Sequence, residues 1–320
     1  MLERWLLVWL VLLSALAYGW PDLVPGFGDP FLVTKPALDV LFAFTMLMIG
    51  SLLPIDEVRQ VRQRWPAVLG GTVVQYLTMP TLAFIVGRLS GLSGDLLVGV
   101  TVVGCVPGAL ASNVLTLAAR GNVSYSVSLT TLSTILSPLV VPVALWATLG
   151  EARSPDPRGV SIHLAWTVVI PVIVGHLLSR RFPRWQGITR VIGPPLANGI
   201  ILWIIAVVVA ATRSQLGEAL GSLALVLLTL NLLGYGAGYL AARGMHLPGS
   251  MTRALTLEIG MQNAGMGTIL ATQFFPDNPS TAIPTAAYTF GCMLTGSVLA
   301  KLWALSREGG ELCEAKAKEN

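Results

Sequence analysis

The stretch Thr256-Leu-Glu-Ile-Gly-Met-Gln-Asn-Ala-Gly265 sets a carboxylate, two amides and two glycines inside a run otherwise apolar enough to cross a bilayer. A charge at mid-membrane costs about 2.5–3.5 kcal/mol on insertion scales unless something compensates it. No Lys or Arg stands at comparable depth in the neighbouring apolar runs, so Glu258 requires a bound cation or, as the alternative, a proton. The glycines interrupt the helix, and carbonyls freed by such a break must find partners that lipid does not offer. Carbonyl oxygens at a break suit a cation, and the amides that open the following half-helix suit an anion.

A second stretch, Gly104-Cys-Val-Pro-Gly-Ala-Leu-Ala-Ser-Asn113, repeats this pattern, and Asn113 and Asn263 lie 150 residues apart. Pro and Gly alone could be harmless kinks, but a matched pair of interruptions points to discontinuous helices around a transport site. Oxygen donors gather near both. Ser112 and Asn113 follow the first break, Ser126 and Thr130 share one helical face four residues apart, and Gln75 lies midway along an apolar run. Gln262 and the carbonyls of Ile259 and Met261 accompany Glu258. Each Ser or Thr could simply bond its own preceding turn, and each amide could simply tie two helices together. Neutral hard oxygens with one carboxylate disfavour a transition metal or calcium and fit sodium. His163, His176 and His246 receive no role. Nucleophile-elbow, zinc-helix and P-loop motifs are absent, which excludes the common hydrolases and an ATP-driven pump rather than a carrier.

The elements that must position these groups follow from composition. Of 320 residues, 54% are hydrophobic and only 11% charged, against roughly 25% charged in soluble domains. This is an all-α polytopic membrane chain with ten spans, at 4–20, 36–53, 66–88, 96–119, 123–149, 160–180, 196–213, 218–242, 250–275 and 281–305. The net charge of +4 reflects loop cations rather than a nucleic-acid partner. In the ten-span arrangement 15 Lys and Arg fall on one side and 5 on the other, which places both termini in the cytoplasm of a cell with the chain in its inner (plasma) membrane. The polar loop Glu151-Ala-Arg-Ser-Pro-Asp-Pro-Arg-Gly159 divides the chain into five-span halves, 1–150 and 151–306, ahead of a tail at 307–320 expected to be frayed. Five spans is an odd number, so the second half enters the membrane inverted. The apolar N-terminus resembles a signal peptide, but parity argues that it is retained as the first span. Arg59, Arg62 and Arg64 are read as topology anchors, and the loops 54–65 and 186–195 as hinges. Three cysteines, Cys105, Cys292 and Cys313, have no paired spacing and imply neither disulfide nor metal.

Two motifs carry a resemblance: Pro107-Gly-Ala-Leu-Ala-Ser-Asn-Val-Leu-Thr116 with Ala119-Arg-Gly-Asn-Val-Ser-Tyr-Ser-Val-Ser-Leu-Thr-Thr-Leu-Ser-Thr-Ile-Leu-Ser-Pro138, and Glu258-Ile-Gly-Met-Gln-Asn-Ala-Gly265. Over nearly the whole chain these resemble the bile acid:sodium symporter family, in its bacterial form. The resemblance implies a panel domain (1–53 with 160–213), a core domain (66–149 with 218–305), and fourth and ninth helices that unwind and cross. It implies one sodium site at Ser112, Asn113, Ser126, Thr130 and Glu258, and a second at Gln75, Glu258, Ile259, Met261 and Gln262. A substrate would meet Leu110, Ala111, Asn263, Ala264, Gly265, Cys292 and Met293. Bacterial relatives often carry Gly-Thr where this chain has Ala109-Leu110, and His-Asn near Cys292-Met293, so a small carboxylate such as a pantoate-like or keto acid is expected as readily as a bile acid. The expected function is sodium-coupled symport of an organic anion by alternating access in a monomer, with two co-transported Na⁺ ions and no cofactor. A proton-coupled carrier of the same fold is the alternative.

Overall fold

The structure, a computed structural model, describes residues 6–26, 28–54 and 64–319. Among these residues the chain is helical throughout, with no strand and one isolated antiparallel bridge, Gly108 to Gln262. In order, the helices are α1 (Leu6–Leu23), α2 (Leu38–Leu52), α3 (Trp65–Leu89), α4 (Gly94–Cys105), α5 (Ala111–Ala118), α6 (Val123–Leu149) and α7 (Pro157–Arg181). They continue as α8 (Pro183–Ala211), α9 (Arg213–Gly244), α10 (Gly249–Gly260), α11 (Ala264–Phe274) and α12 (Ala282–Glu319). Among the described residues, seven helical stretches are long and apolar enough to span a membrane: those of α2, α3, α6, α7, α8, α9 and α12. The first expected span is shorter, and the fourth and ninth are each split into two short helices.

Local chemistry sets the helix starts. Asn122 caps α6 by accepting from the Tyr125 amide at 3.0 Å. Asp156 caps α7 by accepting from the Arg158 and Gly159 amides, with Pro157 at the first helical position, where its missing N–H costs nothing. The outside of the bundle is oily: Leu77, Leu139, Leu225 and Leu240 are all exposed, as expected of a surface in contact with lipid.

Two packing groups emerge. α1, α2, α7 and α8 lie against one another, while α3, α4, α6, α9, α10 and α12 form the other cluster. Within the first, the backbones of α2 and α7 touch. A Cβ on Gly50 would stand 2.1 Å from the Val172 carbonyl oxygen, and one on Gly175 2.1 Å from that of Leu47, so small residues permit this approach. A short helical turn, Pro30–Val33, is capped by Asp29, whose other carboxylate oxygen pairs with Arg213 at 2.5 Å. Arg213 also donates to the Ala17 carbonyl. Only Thr212 separates α8 from α9.

Two expectations need correcting. The stretch 186–195 is helix, not a hinge loop, because α8 begins at Pro183 and runs through Pro194 and Pro195. Trp185 Nε1 bonds Ser51 Oγ at 3.0 Å, which docks this early turn onto α2, and membrane helices tolerate proline when neighbours supply partners. The tail is helical through Glu319 rather than frayed, consistent with the helix-favouring composition of Glu311-Leu-Cys-Glu-Ala-Lys-Ala-Lys-Glu319. Arg59 and Arg62, with most of the loop 54–65, lie outside the described residues, as does the chain start at Arg4.

Candidate functional site

α4 ends at Cys105 and α10 at Gly260, and both are 12 residues long. The extended residues that follow each helix pair with each other. The Ala109 amide donates to the Met261 carbonyl at 2.7 Å, and the Asn263 amide to the Pro107 carbonyl at 2.8 Å. Helix ends leave carbonyls and amides without intrahelical partners, and here, away from water, each break satisfies the other. The chain resumes as α5 without a side-chain cap, and as α11 with Asn263 accepting from the Met266 amide at 3.0 Å.

Glu258 lies in the last turn of α10 and is fully buried. Ser112 Oγ donates to its Oε2 at 2.5 Å and Thr130 Oγ1 to its Oε1 at 2.7 Å. Ser126, four residues before Thr130 on the same helix, is buried beside them. Ser112, Ser126 and Thr130 are themselves buried, and Asn113 Oδ1 stands at the edge, 3.5 Å from Thr130 Oγ1. Thr116, which the sequence reading passed over, supports the cluster by donating to Ser126 Oγ at 3.3 Å. Among the described residues no Lys or Arg forms an ion pair with Glu258. Arg253, on the same helix, instead donates to the Ala119 carbonyl. Most buried hydroxyls here do bond their own helix, as Thr72, Thr101 and Thr256 do. Ser112 differs in giving its proton to the carboxylate. A hydroxyl that donates to a carboxylate keeps two lone pairs, so this constellation can face a cation without losing its internal hydrogen bonds.

Ile259, Met261 and Gln262 follow on the same chain segment. Gln262 Nε2 donates to the Ile259 carbonyl at 2.8 Å, leaving Gln262 Oε1 buried without a partner. Gln75 is buried on α3 with its own Nε2 unpartnered. Of the two atoms, the Gln262 oxygen is an acceptor with lone pairs to offer a cation, whereas the Gln75 nitrogen can only donate. Gly108 completes the arrangement: a Cβ there would fall 2.1 Å from Glu258 Oε1, so only glycine lets the first break lie on the carboxylate.

The seven expected substrate contacts divide between two places. Asn263, Ala264 and Gly265 lie at the start of α11, and a Cβ on Gly265 would come within 4 Å of Phe42 on α2 and Ile201 on α8. Leu110 packs on that same side. Ala111, Cys292 and Met293 instead join the cluster behind the break, with Tyr235 and Met261, and Cys292 Sγ lies 3.5 Å from the Thr289 carbonyl. Asn231, Tyr235, Tyr288 and Thr295 carry no functional signal in the sequence. Here Asn231 Nδ2 and Tyr288 Oη both donate to the Gly260 carbonyl, at 2.7 and 2.8 Å. His163, also given no role, lies 3.8 Å from Asp39 and edge-on to Phe274.

Comparison with known proteins gives the family of the chain. A profile of the Sodium Bile acid symporter family matches residues 40–219. The chain is 32% identical over 299 residues to an uncharacterized sodium-dependent transporter, YocS, of Bacillus subtilis (strain 168), covering 93% of this chain and 90% of that one. It is 32% identical to the probable chloroplastic sodium/metabolite cotransporter BASS1 of Arabidopsis thaliana, over 82% of this chain and 65% of that one. It is 29% identical to the ileal sodium/bile acid cotransporter of Cricetulus griseus, over 77% and 72% respectively. These relatives are transporters, not enzymes, and the chain belongs to the sodium bile acid symporter family.

Proposed function

We propose that this protein carries an organic monoanion across the plasma membrane together with two sodium ions, by alternating access. The observation that carries this reading is the fully buried Glu258, held by donated hydroxyls with no ion pair from a described Lys or Arg. Ser112, Asn113, Ser126, Thr130 and Glu258 hold one sodium. Gln75, Glu258, Gln262 and the carbonyls of Ile259 and Met261 hold the other, and the unpartnered Gln262 Oε1 supports that second position.

The architecture proposed is ten helical spans in two inverted repeats, with both termini cytoplasmic. Its support is internal: α10 begins and ends 155 residues after α4, and the breaks that follow pair antiparallel, as segments related by a two-fold axis in the membrane plane would. The panel is the group α1, α2, α7 and α8, and the core is the rest. Two sodium ions against one carboxylate leave a single positive charge, which a monoanion at the amide ends of α5 and α11 cancels. The neutral loaded core and the empty core are then the forms that cross the low-dielectric region at least cost. The named substrates of the relatives are bile acid and unspecified metabolites, and the apolar Ala109-Leu110 and Cys292-Met293 pairs fit a small carboxylate as well as a larger anion.

The test is uptake into proteoliposomes at fixed pH with choline replacing sodium, using carboxylates and bile salts first selected by sodium-dependent thermal stabilisation. Accumulation requires sodium and disappears in Glu258→Gln. Uptake that survives choline and follows a pH gradient would identify a proton carrier. A folded Glu258→Gln variant with undiminished sodium-driven accumulation would end this reading.

A further inference from the structure

The carbonyls of Ile259, Gly260 and Met261 lie where α10 ends and the break opens, and helix ends release such groups into dry surroundings. Ile259 O accepts from Gln262 Nε2 at 2.8 Å, and Met261 O from the Ala109 amide at 2.7 Å. Among the described residues each has one donor, and a carbonyl oxygen has two lone pairs, so each keeps one free. Gly260 O, between them, is different: Asn231 Nδ2 and Tyr288 Oη both donate to it, at 2.7 and 2.8 Å. Both lone pairs are used.

The donors are held in turn. Thr295 Oγ1 donates to Asn231 Oδ1 at 2.6 Å, which fixes the amide so that its nitrogen faces the carbonyl. Tyr235 Oη lies 3.2 Å from the same Thr295 oxygen. The Tyr235 ring covers the Gly260 α-carbon so closely that a Cβ would sit 2.1 Å from the ring. Asn231 and Tyr288 are each 1% exposed and Tyr235 is 6% exposed, so no water competes for these bonds.

We infer that Asn231, Tyr288 and Thr295 are positioning residues for the second sodium: by saturating and turning away the Gly260 carbonyl, they leave those of Ile259 and Met261, one residue to either side, as the pair that faces the ion. This rests on the proposed sodium site at Gln262, and deepens it. None of the three touches the ion. They act through the peptide plane of Gly260, from helices α9 and α12, which tie the break to the rest of the core.

The experiment measures the sodium concentration that gives half-maximal thermal stabilisation of purified protein, with choline keeping ionic strength constant. Tyr288→Phe and Asn231→Leu should each raise that midpoint about five- to tenfold, the loss of one buried hydrogen bond, and lower the Hill coefficient as one site weakens. Thr295→Val should raise it as well, and Thr295→Ser, which keeps the hydroxyl, should restore it. A role in folding alone would lower the melting temperature in choline and leave the sodium midpoint where it was. Unchanged midpoints in Tyr288→Phe and Asn231→Leu, with the response still abolished by Glu258→Gln, overturn the positioning role and leave the sodium reading standing. If wild type shows no sodium response, both fall. Should Tyr288→Phe fail to fold, Thr295→Val, one bond further from the carbonyl, decides the matter.

Discussion

At the scale of single residues, the chemistry converges on one carboxylate that takes protons from Ser112 and Thr130. Thr130→Val keeps the shape of the side chain and removes a donor to a charged group, a bond worth about 1.5–3 kcal/mol. We expect at least a tenfold weaker apparent sodium affinity in uptake assays, with expression little changed. Gly108→Ala adds a single methyl, yet it would displace the Glu258 carboxylate. The expected result is a folded protein whose thermal stability no longer responds to sodium. Much of this cluster is legible in the sequence, because an acid in an oily run has no bland explanation and Ser126 and Thr130 share a face by spacing alone. What the sequence hides is which hydroxyl serves the carboxylate and which its own helix. It also hides Asn231 and Tyr288, which meet the Gly260 carbonyl across 29 and 28 residues and look locally like ordinary helix-tying groups.

At the scale of elements, Gly and Pro carry opposite lessons. Interruptions at Pro107-Gly108 and Gly260 were readable because each is followed by polar residues, and the structure breaks both helices there. Pro194-Pro195 also suggests an interruption, but α8 continues through it, and earlier on the same helix Trp185 is tied to a neighbour. That neighbour is Ser51 on α2, which no local window contains. The close approach of α2 and α7 gives a test separate from sodium. Gly175→Ala would push a methyl into the Leu47 carbonyl, an overpacking that costs about 1–3 kcal/mol. The melting temperature should drop while the sodium midpoint of the remaining folded protein stays put. A shifted midpoint would mean that this seam communicates with Glu258.

At the scale of the whole molecule, cation placement and charge movement are the observables. The 15 to 5 distribution of Lys and Arg predicts that Cys313 reacts with a membrane-impermeant maleimide only after cells are permeabilised, while Cys105 and Cys292, both buried, stay protected. Labelling of Cys313 in intact cells would reverse the orientation. Two sodium ions with a monoanion move one net charge, so uptake should carry an inward current that an inside-negative potential favours by about 2.3 kcal/mol per 100 mV. Sodium-driven uptake of a monoanion without current would exclude this stoichiometry. The backbone pairing at Gly108 and Gln262 also bears on how the protein is made. The Ala109 amide and the Pro107 carbonyl are synthesised some 150 residues before their partners, so the early half must wait in the bilayer with its interruption unfinished. Biogenesis therefore has a late closing event, reached only when translation delivers the second interruption, and either half produced alone would be the natural prey of membrane quality control.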